Sequence, residues 1–582
     1  MLKFTENLSS VILFVFCFGL FADTFAQGKI VASIDFKPTV NGFSFPNYKN
    51  EAKQKKIWEN DVVIDDLIRM FGIRASCKNG NDGKPCIAKA DARTWMAKQL
   101  KAMNIGHCEG IGVASLRFLS GMPFKNRRSP AHFQANAAAP FNLRLEQNLR
   151  NYISYYWITQ TFDEVSVPTV ATAKKGALGV VQMLIEAMNN RSETYLLGIW
   201  KYKNGTRDAG HAVTPFAVED AGNQYKIHVY DNNYPKETRF VWVNKDAPHR
   251  WSYTAGKNPN GKPEYVGDNN TKTIELTATS WRDNKCFDVY FAEDKEEGCG
   301  AEAKIFNPRI FTKASYQPKL FVQDEDGEDA EFFLTGEGDL FITDGRGRRI
   351  GYNPFDDRFY NEIPDGNPQL LKGGFGVDLP HFTFPYEDTG EPYKIVFSGE
   401  NLETESTMDF VFAAPGFVVG FNNLRLDPDE ILEATISFDG EEITFSGSAD
   451  GETPEVFYAF DDDENPEKAS YITRIDGVEL FADENLTYNF DFENLKLYFS
   501  DDDGNEDEYN LDLIRINADG SEDVYEQNDL NIGTADSYEM DFGDWKGNED
   551  TMCFRDDDDG DKDFTDEECE EQSNEDDGVI DN

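Results

Sequence analysis

The sequence predicts a multidomain chain: an α+β domain, then all-β sandwich modules, then an acidic tail. Three observations carry this. Apolar residues recur at helical spacing up to about residue 190 and then switch to strand-like runs such as "YKIHVYDNN". Beyond 316 no stretch reads as a long helix. The charge also steps near 315: residues 27–315 hold 40 Lys plus Arg against 30 Asp plus Glu, whereas 316–582 hold 15 against 75. At 582 residues the chain exceeds what one core usually supports, so two to four domains are expected.

Taken in order, residues 1–26 read as a secretory signal. Lys3 precedes the apolar run "VILFVFCFGLF", and "ADTFAQ" offers small residues before a cut. The mature chain is therefore expected to be secreted, extracellular or periplasmic. "FVF" before Cys17 lacks the small residues of a lipoprotein site, so no lipid anchor is expected. The α+β domain is placed at 27–315, with 27–100 read as a prosegment or an integral extension. Helices are expected in "KIWENDVVIDDLIRMFG", "KADARTWMAKQLKAMN", the segment from Cys108, "FNLRLEQNLRNYISYYWITQTF" and "GALGVVQMLIEAMNN". Strands follow in "TYLLGIWKYKN", "HAVTPFAVED", "YKIHVYDNN" and "TRFVWVNKD", each closed by Asn, Asp or Gly. Residues 316–545 carry short strands with Gly and Asp turns ("AEFFLTG", "DLFITDG", "EATISFDGEEITFSG"), which predicts one or two β-sandwich units without a convincing internal repeat. The tail is 546–582.

The net charge of −51 lies almost wholly in the C-terminal half. Such a surface repels polyanions, so nucleic acid is not an expected partner, and divalent cations or cationic surfaces are. After the signal no run of 18 apolar residues occurs, so no membrane span is expected.

Without Cys17, seven cysteines remain. Three close pairs present themselves as disulfides: Cys77 with Cys86, Cys286 with Cys299, and Cys553 with Cys569. Cys108 is left over, as a packed thiol, an intermolecular bridge or a nucleophile. It stands in "GHCEGIGVASLRFLSG", where a helix is expected to begin, a position that favours a thiolate. A base would come from His211, which heads a strand in "GHAVTPFAVED", while "YKIHVYDNNYP" ends one hairpin later in a polar turn. An antiparallel hairpin sets the start of its first strand beside the end of its second, so His211 should lie by Asp231 or Asn232.

The pattern "HAV…YKIHVYDNNYP" resembles the His-to-Asn strand pair of papain-like cysteine peptidases, and the "DNNYP" turn looks closer still to the bacteriocin-processing branch. The likeness covers roughly 100–240. It implies a papain-like α+β fold with Cys108 as nucleophile, His211 as general base and acid, and Asp231 as the orienting residue, with Asn232 the second choice. The flank "GHCEG" departs from the "CGSCW" type. Ala102 stands where those enzymes carry an oxyanion-donating glutamine, so Asn104 or His107 would have to serve with the Cys108 N–H.

In the tail, "CFRDDDDGDKDFTDEEC" sets Asp557, Asp559, Asp561, Asp563 and Asp566 at alternating spacing, which suits Ca²⁺. The stretch resembles degenerate aspartate-rich calcium repeats of thrombospondin type 3. The functional expectation is a secreted cysteine hydrolase, a peptidase by default, that needs no cofactor for catalysis. Its substrate would be a peptide or protein, and its β modules would meet an extracellular or cell-surface partner. The alternatives are a non-catalytic adhesion protein on the same scaffold, and a thiol amidase or acyltransferase.

Overall fold

The computed structural model describes residues 28–283, 287 and 329–570, except 80–84, 123, 126, 204–205, 247–249, 375–378, 447–450, 453, 462–468, 478, 481–484, 502–506, 533–536, 544, 546, 548–551 and 558–565. The expected signal at 1–26 lies outside the described residues.

The N-terminal part is helical. Four short helices, α1 (Pro38–Asn41), α2 (Lys55–Trp58), α3 (Ile64–Phe71) and α4 (Ile73–Ser76), precede α5 (Ala90–Ala102) and α6 (Cys108–Ser120). Then come α7 (Gln147–Ile158), α8 (Asp163–Ala173) and α9 (Gly176–Asn190). "KIWENDVVIDDLIRMFG", read as one helix, is two, α2 and α3. Helix α8 was not foreseen. Its Pro168 sits in the helix interior, where the missing N–H weakens a helical reading. Helix α6 is buried along most of its length, and a Cβ at Gly110 would collide with Ile153 O, so that glycine lets α6 and α7 approach closely.

An eight-stranded antiparallel sheet follows, ordered β7-β6-β5-β4-β3-β2-β8, with β1 also on β3. Its strands are β1 (Lys29–Ser33), β2 (Tyr195–Lys203), β3 (Thr206–Asp220), β4 (Gln224–Tyr230), β5 (Thr238–Asn244), β6 (Trp251–Tyr253), β7 (Tyr265–Gly267) and β8 (Ile274–Ala278). Because β1 pairs with β3 from Lys29 to Ser33, the first described segment is built into this sheet.

From Asp329 the chain builds two facing antiparallel sheets of 9 and 11 strands. The hairpins 406–414/417–426, 455–460/470–476 and 507–516/522–532 lie in the first sheet, and 431–436/442–446, 485–491/496–501 and 537–541/552–557 in the second. Successive hairpins therefore alternate between sheets, an architectural repeat with no counterpart at the level of residue identity. One continuous core runs from Ala330 to Phe554, including Phe332, Phe410, Phe412, Tyr458 and Phe490, so the sandwich is a single unit. Each such fully buried aromatic contributes roughly 1.5–3 kcal/mol of burial free energy. Strands Met552–Asp557 and Asp566–Glu570 continue the 11-stranded sheet into the stretch expected to be tail.

The outer face of the nine-stranded sheet is apolar and packs on the helices. Phe333, Val411, Val418 and Phe457 share a core with Trp95, Leu100, Met103 and Cys108. Buried polar groups pin this contact: Trp95 Nε1 donates to Glu331 Oε2 (2.5 Å), Glu331 Oε1 meets His381 Nε2 (2.5 Å), and Asp409 pairs with Lys98 (3.0 Å) and Lys101 (2.5 Å). No described helix is long and apolar enough to cross a membrane.

Candidate active site

Helix α6 starts at Cys108, whose side chain is fully buried at the positive end of the helix dipole. It is the free cysteine among the described residues. Strand β3 passes the helix start, and the Ala212 N–H donates to Cys108 Sγ at 3.3 Å.

The β3–β4 register pairs Thr214 with Tyr230, which brings His211 to the same end of the hairpin as Asp231. His211 Nε2 lies 2.8 Å from Asp231 Oδ1. The carboxylate is further held by the Tyr253 hydroxyl on Oδ2 and by the Asn233 N–H on Oδ1 (2.8 Å). Burial acts to strip the proton from the imidazole, but the Asp231 charge and hydrogen bond, with Cys108 beside the ring, outweigh it and push His211 up to about 10. For Asp231 burial acts upward, and His211, Tyr253 and the Asn233 N–H overcome it, so its pKa falls below the usual carboxylate value. His211 Nδ1 has no oxygen or nitrogen partner.

Asn232 makes no hydrogen bond to the imidazole. Its Nδ2 donates to Cys108 O (2.9 Å) and Ala212 O (3.4 Å), tying the start of α6 to β3. The two candidates for third residue thus separate by one position: Asp231 holds the His211 imidazole, and Asn232 fastens the two elements that carry the thiol and the imidazole.

Both expected oxyanion donors are engaged with other partners. Asn104 Nδ2 donates to Thr335 O of the sandwich (2.9 Å). The buried His107 ring stacks on Tyr48 (4.0 Å) with Nδ1 against Tyr48 O (2.9 Å), and burial pushes it down to about 3, so it is neutral. A side-chain amide that does face the His211 imidazole is that of Asn47. Its Oδ1 accepts from the His107 N–H (2.8 Å) and its N–H donates to Asn232 O (2.8 Å), which aims Nδ2 into the site. A single point, where a Cβ on Gly374 would sit, lies 2.9 Å from Asn47 Nδ2 and 2.5 Å from His211 Nδ1, so both atoms face the same space. Asn47 lies in the loop "FPNYKN", 61 residues before the cysteine, with no helical or strand pattern to mark it.

A buried charge network begins at Glu109, the residue after Cys108. Glu109 pairs with Arg282, and Glu275 with Arg207 (2.6 Å) and Lys372 (3.2 Å). Burial acts upward on Glu275, but Arg207 and Lys372 prevail and hold it at about 2, so it is ionised.

Cys77 and Cys86 form a disulfide. Cys553 is disulfide-bonded, and the strand register sets Cys569 opposite it. Cys286 and Cys299 lie outside the described residues, as do Asp559, Asp561 and Asp563. Asp557 and Asp566 lie on the two paired strands that flank them. Comparison with known proteins returns no match to any protein-family model, curated protein or solved structure.

Proposed function

We propose that this chain is a secreted papain-like cysteine hydrolase that cleaves peptide bonds through an acyl-enzyme. The observation that supports this best is the His211 imidazole, bound at Nε2 to Asp231 at 2.8 Å with the helix-start thiol of Cys108 beside the same ring. His211 takes the thiol proton and Cys108 Sγ attacks the acyl carbon. The carbonyl oxygen becomes an oxyanion, which Asn47 Nδ2 and the Cys108 N–H stabilise, the latter being one of the donors a helix start leaves unpaired. Collapse expels the amine, protonated by His211, and leaves a thioester. Water, deprotonated by His211, attacks the thioester, and the acid and thiol are regenerated. Asp231 holds the imidazole throughout. With an amine in place of water the same atoms make an acyltransferase, and a non-peptide amide makes an amidase. The acidic sandwich would meet an extracellular or cell-surface partner, and the tail would take Ca²⁺.

A second reading, a non-catalytic scaffold, is favoured by one observation: Cys108 and His211 are 0% and 1% exposed. The test is alkylation of Cys108 by iodoacetamide near pH 6, where an ordinary thiol of pKa about 8.5 reacts slowly, read by intact mass in the native chain and in His211→Gln. Both proteins keep the same cover over the thiol, so the ratio reports pairing. A drop of about tenfold or more in His211→Gln is expected for an imidazole-paired thiolate. Equal rates would overturn the hydrolase reading.

A further inference from the structure

Both elements of the site are met by a segment of the sandwich, Leu371–Gly374 ("LKGG"), which lies in sequence between two strands of the nine-stranded sheet, Asn367–Leu370 and Pro380–Pro385. Its backbone bonds to the neighbours of each catalytic group. The Gly374 N–H donates to Gly210 O, the carbonyl just before His211, at 3.1 Å. Gly373 O accepts from Asn47 Nδ2 at 2.8 Å, and so engages the oxyanion donor as a substrate carbonyl would. Gly374 O accepts from Asn233 Nδ2 at 2.9 Å, two residues past Asp231. Lys372 forms a parallel bridge with Gly210.

The side chains fit the same picture. Lys372 Nζ enters the buried carboxylates, 3.2 Å from Glu275 Oε1 and 3.9 Å from Glu109 Oε2, and its N–H donates to Gln160 Oε1 (2.9 Å). The next two residues have no room for a side chain. A Cβ on Gly373 would collide with Ile105 O, and one on Gly374 would sit 2.5 Å from His211 Nδ1. Gly374 has a φ of +89°, where other residues are strained. The segment thus lies between the α6 side and the β3 side of the cleft, held through the groups that would hold a substrate.

We propose that Leu371–Gly374 is a tethered, substrate-like occupant that keeps the site latent, so that the sandwich regulates the α+β domain and the thiol reacts only when this segment withdraws. This rests on the hydrolase reading for its meaning, but occupancy and chemistry are tested separately.

The experiment compares alkylation of Cys108 by iodoacetamide in the full-length chain and in Gly374→Leu, each with His211 intact and with His211→Gln. The leucine cannot occupy the position and expels the segment. Labelling of a covered thiol follows the population of the open form. A rise on the order of tenfold or more is therefore expected in both His211 backgrounds. If it occurs in both but His211→Gln makes no difference within Gly374→Leu, occupancy stands and the hydrolase reading fails. If labelling is unchanged in a Gly374→Leu protein that keeps its unfolding midpoint, the occupancy proposal is overturned. Should Gly374→Leu fail to fold, Lys372→Gln, which removes the charge anchor on Glu275 and Glu109, decides: a rise in labelling is expected, and no rise overturns the proposal.

Discussion

Replacing Asp231 by Asn should reverse the sign of the pH dependence of stability over the neutral range. In the native chain His211 is pushed up to about 10 from an ordinary 6.5. A group raised in this way adds stability that is fully present below its unfolded pKa of about 6.5 and is lost as pH climbs through the folded value. Without the Asp231 charge, the largest influence left on His211 is burial, which disfavours the imidazolium and takes its pKa below 6.5. The variant should then hold its stability on the alkaline side and lose it as pH falls through 6.5. Breaking a buried pair by removing one partner costs about 3–5 kcal/mol when the other charge is stranded. His211 can shed its proton and Asn keeps a polar contact, so about 2–3 kcal/mol is expected near pH 6. By pH 10 the difference should narrow, because the native chain has then lost its imidazolium too. The assay is denaturant unfolding followed by tryptophan fluorescence at several pH values between about 5 and 10. Parallel pH profiles for the native chain and Asp231→Asn would refute the argument, because the pair would then not carry the charge that the geometry gives it.

Further outcomes follow from the same contacts. Asn47→Asp keeps the acceptor for the His107 N–H but loses the donor, so in the Gly374→Leu background it should lower kcat for peptide hydrolysis by about 10²–10³ with little change in KM; an unchanged kcat would remove Asn47 from the oxyanion role. Asn232→Ala severs the tie between Cys108 O and Ala212 O and should cost about 1–3 kcal/mol in unfolding, while any remaining His211 dependence of Cys108 alkylation persists. Glu331→Ala orphans Trp95 Nε1 and His381 at the junction of helices and sandwich and should destabilise by at least about 2 kcal/mol, seen as a split of one unfolding transition into two. Adding Ca²⁺ to chelator-treated protein should raise the unfolding temperature of the sandwich if the tail aspartates bind it, and no shift across millimolar Ca²⁺, the range of extracellular modules, would count against that site.

Much of the arrangement of Cys108, His211 and Asp231 was legible because it depends on local rules. A cysteine at a helix start and a histidine at the head of a strand are short-range patterns, and an antiparallel hairpin has a register that brings His211 to Asp231 within 20 residues of chain. The choice between Asp231 and Asn232 was not legible. Neighbours in a turn point in different directions, and only the packed structure shows one on the imidazole and the other on Cys108 O. Asn104 and His107 were favoured as donors because they are near in sequence, whereas the fold uses both for packing.

The sequence by itself determined the broad order of helices and strands, the charge step near 315 and the placing of Cys108 and His211 with the turn that carries Asp231 and Asn232, because periodicity, composition and hairpin register are set by neighbours along the chain. Tertiary structure alone decided that Asn47 Nδ2 and His211 Nδ1 face one space, that alternating hairpins form one sandwich, and that Gly373 and Gly374 lie against Asn47 and His211. Gly373 meets Asn47 across 326 residues. Contacts of that range arise from which apolar faces bury one another, here the outer face of the nine-stranded sheet on the helices, and no local pattern in either segment records its partner.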